Sequence, residues 1–405
     1  MSGLFWLATS ERERQRAREL ARALRQTESR DELGVGSVRD ALADLLLPGT
    51  STLHTRARYH LFVPWAYQQA VARGGKRSLS DRLRDAEAEL ISTVKRTGAA
   101  DPTADADGLI GVDAGRDLKR MPSTLYWQGL HVWGIRRVGG PQSVIERLLA
   151  RRRPQDERDD DGSPLDPSVG EVWHPNLPPS PPNHGEAADF SLTFDEAEFL
   201  VERLTFEDAT RSSALAQLVK VPADHGAVDQ LWEHPAKREL DQPTQFVIEQ
   251  GRRFSLLMHG ASWTYNVELA RMRESTELTD RHRASFERWA SAAAGAGAHL
   301  AWPLDELWAV TGDRVPPPTR TFVRRWQDLL VSRGPDGLVD DPDARALIIS
   351  RERRMKGANA RTVNAKALAQ WGGRSGTTPL DFRWSTARRL IADIRAGLET
   401  GDAAH

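Results

Sequence analysis

The chain of 405 residues contains no cysteine, carries 56 basic against 57 acidic side chains, and has a mean hydropathy of −0.54. Without cysteine there are no disulfides, thiolate nucleophiles or thiolate-bound metals, which suits a reducing, cytoplasmic setting. The near-zero net charge gives no overall pull toward nucleic acid or membrane, so any such pull must come from local asymmetry.

The length is ample for a hydrophobic core and suggests two domains. The opening MSGLFWLATSERERQR has an apolar patch too short for a secretory signal, and no run approaches ~18 apolar residues, so no membrane partner is expected. Ser10-x-x-Glu13 reads as a capping box opening a helix to about Arg25, with Ala17, Leu20, Ala21 and Leu24 on one face. Ser37-x-x-Asp40 reads as an imperfect cap on a short helix that Pro48-Gly49 ends. Residues 59 to 71 look helical, with Pro64 expected to kink or break them. Further helical patterns cover 79 to 96 and 123 to 137. Residues 151 to 190 hold eight of the 23 prolines and read as an extended linker or surface arm. Helical patterns resume at 194–205, 243–273, 279–293, 304–310, 319–333, 341–354, 361–371 and 384–398. Gly251, Gly260, Ala261 and Ser262 suggest close helix packing. β-branched alternation is scarce. The expected fold is mainly α and multi-helix, with a helical domain over 1–150, the Pro-rich segment over 151–190 and a second helical domain over 191–405.

Nucleotide and catalytic motifs mostly fail. Gly34-Val-Gly36 precedes a helix, but Arg39 stands where the third glycine of a dinucleotide fingerprint belongs, and no strand precedes it. Gly74-Gly75-Lys76 misses the phosphate-loop pattern, with Ala70 and Arg77 at two of its required positions. There is no HExxH or GxSxG, and no two of the eleven histidines are four apart. Asp117-Leu-Lys119 matches a nuclease-like D-x-K, with Asp105, Asp107 and Asp113 upstream, yet lacks the apolar strand that normally carries it. The sequence therefore names no catalytic residue, metal ligand or cofactor.

Two stretches invite an anion. Thr50, Ser51 and Thr52 offer hydroxyls beside Arg56 and Arg58, the residue types that hold phosphate oxygens. The competing reading is architectural: Thr50 or Ser51 caps the next helix while the arginines pair with Asp31, Glu32, Asp40 or Asp44. The second stretch is 351 to 395, with eleven Lys/Arg against three Asp/Glu. Arg351, Arg353, Arg354, Lys356, Arg361 and Lys366 lead it, and Arg383, Trp384, Arg388, Arg389 and Arg395 close it. Cations with interleaved indoles suit nucleic acid, the charge for phosphates and the rings for stacking. Solvated helix faces with acidic partners elsewhere, such as the Asp-rich 156–161 run, or a protein partner, would read the same way.

LFWLATSERERQRARELA, DELGVGSVRDALADLLLPGTSTLHTRARYHLFVPW, LKRMPSTLYWQGLHVWGIR, HGASWTYN and LDFRWSTARRLIADIRAGL together resemble the bacterial domain-of-unknown-function family 6361 over nearly the whole chain. The resemblance brings no catalytic residues. It implies a place in multi-gene, anti-phage defence-like loci near helicases and nucleases. Together these readings point to a non-catalytic accessory subunit that contacts nucleic acid, DNA or RNA, or a nucleic-acid enzyme among the other subunits of a defence complex. Thr50, Ser51, Thr52, Arg56, Arg58, Arg383, Trp384, Arg388 and Arg389 are its candidate contacts. The rivals are a metal-dependent nuclease or other hydrolase, which needs converging carboxylates, and a protein scaffold.

Overall fold

The computed structural model describes residues 31–101, 103–150, 172–182, 185–297 and 301–402. The expected helix over 10–25 and the 156–161 acidic run lie outside them. Among the described residues the structure is α-helical, with one isolated bridge between Arg136 and Trp173 as its only β pairing. The helices are α1 (Gly36–Leu46), α2 (Tyr59–Arg73), α3 (Leu79–Ala100), α4 (Pro122–Val132), α5 (Gln142–Ala150), α6 (Phe194–Phe206) and α7 (Ala214–Leu218). They continue with α8 (Gln242–Met272), α9 (Thr276–Ala296), α10 (Leu304–Thr311), α11 (Pro317–Arg333), α12 (Pro342–Lys356), α13 (Ala365–Ala369) and α14 (Trp384–Asp402).

Three local details depart from expectation. Asp31, rather than Ser37, caps α1: its carboxylate accepts from the N–H groups of Val35 at 2.8 Å and Gly36 at 2.5 Å. Pro64 does not break α2, which runs through it to Arg73. The pattern over 361–371 yields only the short α13, started by Asn364, whose Oδ1 accepts from Lys366 N and Ala367 N.

The chain gathers into two units, each from two stretches. Unit 1 comprises 1–41 and 250–380, and unit 2 comprises 42–249 and 381–405. The boundary expected at 151–190 therefore lies inside unit 2. Its described parts are tied into that unit's core, with Val172, Trp173, Ala188 and Phe190 all buried. The core of unit 2 joins α2, α3 and α4 to α6, α7 and α14. α6 and α14 pack closely because Gly397 has no side chain: a Cβ there would lie 2.8 Å from Ala197 Cβ and 2.8 Å from Leu192 Cβ. Each large apolar side chain so buried contributes about 1.5–3 kcal/mol.

In unit 1, Gly260 of α8 admits the indole of Trp289 from α9; a Cβ would sit 2.2 Å from that ring. The small residues of α8 thus do what their sequence spacing suggested at this position. Trp289 and Trp326 direct their ring N–H groups to carbonyls of α8, Leu256 O and Leu257 O, at 2.8 and 2.9 Å. Buried Arg351 donates to Leu33 O, Gly34 O and Thr319 Oγ1 at 2.7–2.9 Å, pinning the turn before α1.

Candidate anion-binding sites

The 48–65 block is built as a clamp. Thr50 is buried, and its hydroxyl donates to Leu47 O at 2.6 Å. Ser51 Oγ accepts from Leu53 N at 3.3 Å. Thr52 is exposed. Arg56 is buried and fully used: Nε and NH2 donate to Asp393 of α14, and NH1 donates to Asp105 Oδ1 at 2.6 Å and Asp107 O at 2.9 Å. Asp393 also accepts from Ala57 N at 2.8 Å. Arg58, buried too, donates to Asp189 and, at 2.8 Å, to Glu196 Oε1. Glu196 is the third residue of α6 and completes the capping box with Thr193. One arginine thus fastens α14 and its neighbour fastens the start of α6.

Aromatic rings and two histidines fill the space beneath. Tyr126 OH accepts from Thr55 N at 2.8 Å and donates to Arg56 O at 3.0 Å. His54 stacks on Tyr126 with ring centroids 4.0 Å apart, and His60 stacks on Trp133 at 3.9 Å. Each histidine uses one ring nitrogen on a backbone carbonyl, Leu125 O for His54 and Ala57 O for His60. Burial pushes His54 down to about 4 and holds His60 well below its ordinary range, so both are neutral. Gly129 is required here: a Cβ would lie 2.6 Å from Gly49 O and 3.1 Å from His54 Cε1.

The closing part of the basic region is also committed internally. Phe382 and Arg383 hold positive φ, 50° and 69°, in the turn that leads into α14. Asp381 accepts there from Arg383 N and Ser385 N. Arg383 donates to Asp44 Oδ1 at 2.7 Å and Thr50 O at 3.0 Å. Trp384 is fully buried, its ring N–H on Val228 O at 3.2 Å, which leaves no face for a base to stack on. Arg388 donates to Val228 O at 2.7 Å and to the exposed Asp229 at 3.1 Å. Arg389 is exposed. Of the nine expected contacts, Thr52 and Arg389 are the fully exposed ones.

The opening part of the region, in unit 1, is different. From Arg353 to Leu380 the chain has six Lys/Arg and no carboxylate. Lys356 and Arg361 turn inward to Glu32. Arg353, Arg354, Lys366 and Arg374 are exposed, with Met355 and Val363 48% and 50% exposed among them. The backbone that presents them is held firmly. Buried Glu352 accepts from Tyr265 OH at 2.6 Å, Arg361 N at 2.9 Å and Thr362 N at 3.0 Å. Asn266 and Ser375 exchange bonds at 2.7 and 2.8 Å. His259 meets Thr377 O at 2.9 Å, His282 meets Gly373 O at 2.7 Å, and Arg273 donates to Trp371 O at 2.8 Å. Side chains of α8 and α9 thereby fix an irregular loop that would otherwise lack backbone partners.

Most of the carboxylates that an enzyme reading needs already have partners, while Asp107, Asp113 and Asp117 are exposed. Asp31 caps α1, Glu32 meets Lys356 and Arg361, Asp40 meets Arg39, and Asp44 meets Arg383. Asp105 is held by Arg56, while Asp117 lies on a short 3₁₀ turn (Gly115–Asp117). Among the described residues no three His, Asp or Glu side chains gather as a metal-binding set, and no helix is long and apolar enough to cross a membrane.

Among the described residues, a helical protein with a clamped aromatic core in one unit and exposed cations from an acid-free run of sequence in the other is the class these features define. The family model described as a family of unknown function, DUF6361, matches residues 1–397, and the chain belongs to that family. No curated protein and no solved structure matches it.

Proposed function

We propose that the protein contacts the phosphate backbone of nucleic acid through the 353–374 surface of unit 1, as an accessory subunit rather than as the enzyme. The observation that carries this reading is the 28-residue run Arg353–Leu380, which has six cations and no acid, and exposes Arg353, Arg354, Lys366 and Arg374. Ion pairing is the usual fate of surface arginines, and this run has no carboxylate of its own to provide it. The fixed loop lowers the ordering cost of contact, because its backbone is already bound to α8 and α9. Membership of a multi-gene defence system is the part of the proposal that the family resemblance supplies.

Labelled duplex DNA, single-stranded DNA and RNA, followed by fluorescence anisotropy across a salt series, test it. Four phosphate contacts give a slope of log affinity against log salt of about −3 to −4 on duplex DNA. Combined Arg353→Ala, Arg354→Ala, Lys366→Ala and Arg374→Ala substitutions should flatten that slope. Arg388→Ala with Arg389→Ala should leave it nearly unchanged. Affinity that is insensitive to salt, or to the four substitutions, would overturn the assignment.

A further inference from the structure

The turn between α2 and α3 in unit 2 carries a second, independent feature. Arg73 ends α2, Gly74-Gly75-Lys76-Arg77 make the turn, and Ser78 caps α3. Gly74 and Gly75 hold φ of 55° and 102°. A Cβ on Gly75 would touch nothing within 4 Å, so that glycine serves backbone shape and not packing. The turn folds back so that Arg73, Lys76, Arg77 and Arg82 surround one concavity of about 340 Å³, with Asp85 as its lone carboxylate.

Arg73, Arg77 and Arg82 are each held with donors to spare. Arg82 donates from NH1 to Gly75 O at 3.2 Å, and its Nε is buried with no partner among the described residues. Arg77 leans on Asp85, which Arg116 also holds at 2.9 Å, and Arg73 grips Glu89. A guanidinium has five N–H groups, so one carboxylate leaves several of them unused. Lys76 is exposed, at the rim. The N-terminus of α3 is not the anchor, since Ser78 Oγ already accepts from Asp81 N at 3.1 Å.

A neighbouring groove of about 520 Å³ between α2 and α3 shares Arg73 and Asp85 with the concavity. Ala66, Ala86 and Leu90 contribute apolar surface to that groove, Gln69, Ser92 and Thr93 contribute amide and hydroxyl groups, and Glu89, already bound by Arg73, and Arg96 add one charge of each sign. A cationic end beside a mixed apolar and hydroxyl-bearing trough is complementary to a phosphate group on an uncharged polar body. We infer that the α2–α3 groove binds a nucleotide, with its phosphates among Arg73, Lys76, Arg77 and Arg82 and its nucleoside along Ala66, Gln69, Leu90 and Ser92.

This site does not depend on the nucleic-acid surface, which lies on residues of the other unit. The full-length protein would be titrated with ADP, ATP, adenosine and ribose 5-phosphate, using thermal shift and calorimetry. The expected result is saturable binding of ADP and ATP, weaker binding of ribose 5-phosphate, and none of adenosine. Lys76→Ala with Arg77→Ala should weaken ADP by about tenfold or more, the loss expected from charge-assisted contacts. Both side chains are exposed, so the unliganded melting temperature should hold, and Arg82→Lys should retain part of the affinity. Polynucleotide binding should be unaffected by these changes, which separates failure of this site from failure of the other. Absence of ADP and ATP binding at millimolar concentration, binding unchanged in the double variant, or adenosine binding as well as ADP would overturn the inference.

Discussion

Glu87 of α3 should make this protein less stable as the pH rises through neutrality, and Glu87→Gln should remove the effect. Glu87 is 1% exposed and is bonded to Ser123 and not to a cation: Oε1 accepts from Ser123 N at 2.6 Å and Oε2 accepts from Ser123 Oγ at 2.9 Å. Burial raises its pKa from 4.5 to about 7, and the two serine bonds only partly oppose that. The folded state therefore holds a proton that the unfolded state releases. The stability this carries is fully present below pH 4.5 and is lost as the pH rises through 7. A displacement of that size corresponds to about 3 kcal/mol. A glutamine keeps an oxygen for Ser123 N and does not ionise. Urea denaturation followed by circular dichroism, at pH 5 and pH 8, reads the difference directly. The variant should match the wild type to within ~1 kcal/mol at pH 5 and exceed it by about 3 kcal/mol at pH 8. A difference that stays flat with pH would show that the carboxyl is not neutral in the fold, and the reasoning would fail.

The histidines of the block act with the opposite sign. Burial lowers His54 to about 4, so its contribution is present above 6.5 and lost as the pH falls from 6.5 toward 4, about 3 kcal/mol in all. Measured in the Glu87→Gln background, stability should fall across that window, and His54→Gln should reduce the fall by about 3 kcal/mol, leaving the part that buried His60 carries. Arg56→Met removes the cation from Asp393, whose side chain is 7% exposed, and should cost about 3–5 kcal/mol; a loss below ~1 kcal/mol in urea unfolding would refute the clamp. Gly260→Ala forces a Cβ to 2.2 Å from Trp289 and should cost about 1–3 kcal/mol, visible as a lower melting temperature; an unchanged melting temperature would mean that α9 is free to retreat.

The helices were legible in the sequence because amphipathic spacing is local. The patterns over 79–96, 194–205, 243–273 and 319–333 reappear as α3, α6, α8 and α11 with ends shifted by a few residues at most. Capping was less so, since Asp31 and Ser37 both suit the start of α1 and only the folded backbone chooses between them. Units built from distant stretches leave no local signal at all. The partners of Arg56 and Arg58 illustrate this: the sequence offered nearby Asp31, Glu32, Asp40 and Asp44, and the fold supplied Asp105, Asp189, Glu196 and Asp393. The basic region was visible as composition, but its two parts look alike in sequence. Burial of Trp384 and the bonds of Arg383 and Arg388 distinguish the closing part from the exposed cations at 353–374. Gly74-Gly75-Lys76 fails the phosphate-loop pattern, and a concavity between two helices has no such sequence signature.

The bond between Arg56 and Asp393 also bears on how the chain is born. Its two residues are separated by 337 positions, and α14 is the last of the described helices to leave the ribosome. Until it arrives, Arg56 has only Asp105 and the Asp107 carbonyl, and the face of α6 that packs on α14 is uncovered. At a typical ~5–20 residues per second, the wait lasts tens of seconds. During that time the nascent chain presents an unfinished apolar surface, which is where a chaperone would hold it. Ribosome-stalled chains ending before residue 381 should therefore remain protease-sensitive across 42–249, and chains that have released α14 should not.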